Sequence, residues 1–89
     1  MNCNRSEVYE AIDGEREYQE RRWNPDTTST GGAHSVTEFL VYMQDYVNEA
    51  LHHVSRNADP EASLVALNVV RKVAALGVAC MEQHGAPRR

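Results

Sequence analysis

Two arginines and a tryptophan stand together at Arg21-Arg22-Trp23, ahead of a turn-rich run at 24–34 and the sequence Ser35-Val36-Thr37-Glu38. Guanidinium groups fork onto phosphate oxygens, an indole stacks on a flat ring or a cation, and the free N–H groups at a helix start favour an anion. Such a set suits a nucleotide-like ligand. The candidate ligand-binding residues are Arg22 and Lys72 for negative charge, Trp23 for stacking, and His34 and Glu38 for polar contacts at the start of the second helix. The plainer alternative packs Trp23 on the fold and leaves the arginines in water. No Gly-x-x-x-x-Gly-Lys phosphate loop is present.

Glu38, Tyr42, Asp45, Glu49 and His53 fall in one stripe when wound at about 100° per residue. Hard cations take carboxylate oxygens, so the stripe has a divalent-metal reading. Glu38 and Asp45 are two turns apart, roughly 10 Å along the axis, so Glu15, Glu17 or Glu82 would have to complete a site. Otherwise the stripe is a solvated face. The expectation is no cofactor and no metal, with magnesium as the alternative. No catalytic nucleophile stands out, and the spacings of Cys3, Cys80 and the four histidines form no zinc pattern.

Three helices must position these groups. The first is expected at 7–23, with Ser6 as N-cap and Glu7 and Glu10 in its first turn. Its apolar stripe of Val8, Ala11 and Ile12 turns polar through Glu15, Tyr18, Gln19 and Arg22. The run 24–34 then reads as either a functional loop or a flexible linker. It ends at Ser35 and Glu38, which fit a capping box opening a second helix at 36–56. That helix has apolar residues from Val36 to Val54 at intervals of three and four. Asn57-Ala58-Asp59-Pro60 reads as a tight turn, making the last two helices an antiparallel hairpin. The third helix, 60–84, stops at Gly85 and Pro87.

The third helix is apolar on more than one face, from Leu64 to Met81, while Ala74, Ala75, Gly77 and Ala79 keep part of it small. A narrow polar break runs through Asn68, Lys72, Ala75 and Glu82, with Arg71 beside it. A basic group in such a segment needs a counter-charge, water or an anion, and a carboxylate of the second helix is the expected partner. Two neighbouring helices cover two sides, so a second copy is expected to cover the rest. The expected architecture is all-α: three helices in one domain, 1–89, assembled as a homo-oligomeric bundle.

Composition narrows the class further. A chain of 89 residues leaves a single core little surplus over chain entropy, which favours self-association. A net charge of -4 argues against general nucleic-acid binding. Asn68, Arg71 and Lys72 interrupt the apolar run 62–81, against a membrane span. With no leader segment read, the chain is expected in the cytoplasm with both thiols reduced.

The positions Glu15-Arg16-Glu17-Tyr18-Gln19, Trp23, His34, Glu38, Tyr46, Arg71-Lys72-Val73-Ala74-Ala75-Leu76 and Glu82 together resemble a group of small helical proteins of bacteriophages and prophages. The resemblance spans 15–89 and implies a phage-type accessory protein in the host cytoplasm, with an anti-defence role. Where members of that group carry acidic residues before the histidine, this chain has Thr30-Gly31-Gly32-Ala33. A remoter similarity is to MazG-like all-α nucleoside triphosphate pyrophosphohydrolases, which hold magnesium in Glu-x-x-Glu and Glu-x-x-Asp motifs. Glu7 with Glu10 and Glu17 with Glu20 have the first spacing, and no Glu-x-x-Asp follows on a later helix. The expected function is non-enzymatic: sequestering a nucleotide-like ligand or docking on a host protein. The alternative is a magnesium-dependent pyrophosphohydrolase using Glu38, Asp45 and Glu49 with a glutamate of the first helix.

Overall fold

The computed structural model describes residues 2–56 and 60–89. It is all-helical, with α1 at Arg5–Arg22, α2 at Val36–Arg56 and α3 at Pro60–His84, and no strand among the described residues. The expected turn at Asn57, Ala58 and Asp59 lies outside those residues.

Local chemistry sets the helix ends. α1 begins two residues earlier than expected because Asn4, not Ser6, is its cap. The Asn4 Oδ1 accepts the Glu7 N–H at 2.9 Å, and the Ser6 hydroxyl itself donates to Asn4 at 2.7 Å. At α2 the capping box forms as expected: Glu38 N–H donates to Ser35 Oγ at 3.1 Å and Ser35 N–H to Glu38 Oε1 at 2.9 Å. α3 closes on Gly85, whose φ of 110° is a left-handed value and whose N–H donates to Met81 O at 2.8 Å.

α3 is the central element. α1 and α2 each pack on it and, among the described residues, make no helix contact with one another. The core on the α2 side is Phe39, only 2% exposed, with Leu76 and Ala79, and Met43, Tyr46 and Cys80 pack around it. Ala75 is fully buried, so small side chains on α3 let its neighbours approach. Burying Phe39 alone accounts for about 2–3 kcal/mol of transfer free energy.

The polar break on α3 finds a different partner from the one expected. Arg71 Nε donates to Glu15 Oε1 at 2.8 Å, and its NH1 group also reaches Asn68 Oδ1. The carboxylate therefore comes from α1 rather than α2. Glu15 suits the task because its side chain is 9% exposed, and a carboxylate so enclosed needs a cation close by. Lys72 instead sets its ammonium 5.9 Å from the centre of the Tyr46 ring, a cation–π distance.

Candidate functional site

Because α1 and α2 diverge across α3, a hollow opens between them. The loop of residues 23–35 forms its third wall, and the hollow, half open to solvent, has a volume of about 1040 Å³. This is at the upper end of the range for small-molecule sites. Leu76, Ala79 and Phe39 line its apolar part. Tyr42, Tyr46 and His34 come from the α2 side, and Arg16, Gln19 and Arg21 from α1, with Trp23 following α1 directly.

The loop is tied down by its own polar side chains. Asn24 donates from Nδ2 to the carbonyls of Glu20 and Arg21 at 3.2 and 3.1 Å, and its Oδ1 accepts the Asp26 N–H at 2.8 Å. Thr27 Oγ1 donates to Arg22 O at 2.7 Å. Gly32 has a φ of 82°, and a Cβ placed there would come within 2.6 Å of the Trp23 carbonyl oxygen, so only glycine lets the loop fold back against Trp23.

The end of α3 clamps the far side. Gln83 donates from Nε2 to Gly32 O at 2.9 Å and accepts the His34 N–H at 3.1 Å, while His84 Nε2 lies 2.7 Å from His34 O. The His34 ring then stands edge-on to Phe39 and Tyr42, with centroids 5.5 and 5.1 Å away. The linker alternative for 24–34 is thus replaced by a folded wall.

Gln19 is the unusual side chain. It is 5% exposed, the only buried residue of α1, and lines the hollow. Its Nε2 donates to Lys72 O at 3.3 Å, but its buried Oε1 has no hydrogen-bond partner among the described residues. Leaving such an acceptor dry and unpaired costs about 1–3 kcal/mol. His34 Nδ1 is likewise buried and unbonded, with Glu38 Oε2 3.7 Å away. That separation is too long for a hydrogen bond.

The charges around the hollow are mixed. Arg16 Nε binds Glu82 Oε1 at 2.6 Å and its other arm lies 3.6 Å from Glu20. Arg21 is exposed on the rim. The Glu38 carboxyl is held below its ordinary value, first by the hydrogen bond from the Ser35 backbone, then by the Ser35 hydroxyl, with a smaller contribution from His34.

Of the five expected ligand-binding residues, Trp23 and His34 line the hollow. Arg22 lies at the end of α1 with its guanidinium 3.5 Å from Tyr18 Oη, and is not on the wall. Glu38 caps α2. Lys72 belongs to a smaller hollow of about 490 Å³ with Glu15, Tyr18 and Arg71. Gln19, Tyr42 and Arg16 are on the wall although they were not candidate ligand residues, and Arg21, read with Arg22 and Trp23 as one set, lines it where Arg22 does not. The signal for Gln19 was the stripe Ile12, Glu15, Gln19, where polar residues continue an apolar face. Glu38, Asp45 and Glu49 are exposed, and no group of three or more His, Cys, Asp or Glu side chains gathers among the described residues.

No family model, curated protein or solved structure matches this chain.

Proposed function

We propose that this protein binds a small, ring-bearing anionic ligand of the nucleotide class in the hollow between α1, α2 and the 23–35 loop, and acts by holding it rather than transforming it. The unpaired Gln19 Oε1 carries the reading. Gln19 lines the hollow together with Trp23 and Tyr42, and a flat ring that brings its own N–H donor, such as the amino edge of a base, would satisfy its Oε1 once the amide, closed to solvent here, turns toward the hollow. Trp23 supplies a stacking face, and Arg21 on the rim supplies positive charge for the anionic part. Arg16 gives less, because Glu82 and Glu20 already engage it.

The working form in this proposal is a cytoplasmic homo-oligomer in which α2 and α3 make an antiparallel hairpin. The phage accessory role follows from the resemblance of residues 15–89, and sequestration is the mode proposed. Titration calorimetry against linear and cyclic nucleotides, with and without magnesium, tests it. Saturable heat with intact nucleotide recovered supports the proposal. Released pyrophosphate would replace it with the pyrophosphohydrolase, and absence of heat for every nucleotide would replace it with docking on a host protein.

A further inference from the structure

Along its C-terminal half α3 is covered on two sides by described residues, while nearer its start Leu64 and Val65 are 62% and 44% exposed. Its contacts with α1 run through Arg71, Lys72 and Glu82, and those with α2 through Leu76, Ala79 and Cys80. At 100° per residue the remaining side is Leu67, Val70, Ala74, Gly77 and Met81. These residues follow one another at alternating steps of three and four, the spacing of a coiled-coil seam. Leu67, Val70 and Met81 are 62%, 59% and 47% exposed. Only 22% of the most apolar stretch of α3 is buried.

The total surface is large for the mass, and the open hollow and apolar residues exposed on α2, such as Leu40 and Leu51, contribute to it along with α3. A compact monomer of 10.0 kDa should expose about 5,200 Å², whereas this chain exposes 7011 Å². The excess is about 1,800 Å², more than twice the roughly 800 Å² that one partner contributes to a standard interface. Gly77 adds a steric clue. A Cβ there would meet nothing within 4 Å, so packing among the described residues does not require glycine, although glycine weakens a helix interior.

We infer that the Leu67–Val70–Ala74–Gly77–Met81 seam is where two copies of this chain pair through antiparallel α3 helices. This inference rests on the homo-oligomer reading above and names its surface. A parallel pairing would set Gly77 against Gly77 and leave a void. The antiparallel one sets Val70 beside the gap at Gly77, Ala74 against Ala74 and Leu67 against Met81, so large residues meet small ones at the centre. The two hollows then lie on the sides of the dimer away from the seam, each complete within one chain.

Light scattering on the full chain at about 100 µM tests this, beside Val70→Glu and Gly77→Leu. A Cβ at Gly77 would meet nothing within 4 Å, and circular dichroism checks that both variants stay helical. The expected result is a wild-type mass of at least two chains, halved or lower in a helical variant. In a protein carrying Cys3→Ser and Ala74→Cys, mild oxidation should link two chains through the thiol introduced at position 74. A wild-type monomer overturns both the seam and the oligomer reading. An oligomer whose mass neither helical variant changes, and which oxidation of the Ala74→Cys protein does not link, overturns the seam alone. A monomer that floats with phosphatidylcholine–phosphatidylglycerol vesicles would assign the face to lipid instead, and overturns it too.

Discussion

Gly32→Ala should damage the hollow more than its one added methyl group suggests. The residue sits at φ 82°, and its new Cβ would lie 2.6 Å from the Trp23 carbonyl oxygen, a backbone atom that cannot rotate away. A left-handed alanine costs about 1–2 kcal/mol, and moving the carbonyl adds to it, so a loss of about 2–3 kcal/mol is expected. For a chain this small, each kcal/mol shifts the melting midpoint by about 4–8 °C, which gives a drop of at least about 8 °C. Trp23 is the only tryptophan, so its emission reports the same wall directly and should shift as the loop detaches. Gly14→Ala is the control: nothing lies within 4 Å of its Cβ and its φ is ordinary, so it should raise stability by about 0.5–1 kcal/mol. Both variants are melted at one protein concentration, since association moves the midpoint. A Gly32→Ala protein with wild-type melting and wild-type tryptophan emission would refute the reasoning that the loop is held against Trp23.

Phe39→Ala removes the largest fully buried side chain and should cost about 3–5 kcal/mol by chemical denaturation; a change under 1 kcal/mol would mean the hollow collapses freely into the space. Arg71→Met strands Glu15, whose side chain is nearly enclosed, and should cost about 2 kcal/mol. Adding Glu15→Gln should restore most of that loss, and a double mutant no better than the single one would contradict the pairing. The lowered Glu38 pKa gives a pH dependence whose sign is fixed. The carboxylate is charged and capping above its ordinary value of 4.5, and that contribution disappears as pH falls through the lower folded value. Glu38→Gln should therefore flatten the acid limb of the stability curve below about pH 4.5, and an unchanged acid limb would discount the cap.

Features fixed by neighbours in the chain were legible. The Ser35–Glu38 box and the Gly85 stop need only a few consecutive residues, and both formed as read. The α1 start shows the limit of such reading, since Asn4 and Ser6 are both good caps and their mutual hydrogen bond decided for Asn4. Partners distant in sequence were harder. Arg71 was expected to meet α2, but the side of α3 it occupies faces α1. Tyr42 shares its stripe with Glu38, Asp45 and Glu49, which reads as a solvated face, yet the loop folds over that end and makes it a wall. Gln19 looked like a lapse in a weak amphipathic pattern; its burial comes from α3, whose Lys72 carbonyl it meets.

The central claim is that the hollow holds a ring-bearing anion through Trp23 and Gln19. Tryptophan fluorescence titrated with individual nucleotides measures this directly. Saturable quenching by at least one nucleotide is expected, with calorimetric affinity about 5- to 150-fold weaker in Trp23→Ala, the range for losing one stacked base. Flat fluorescence for every nucleotide, or affinity that Trp23→Ala leaves unchanged, would contradict it.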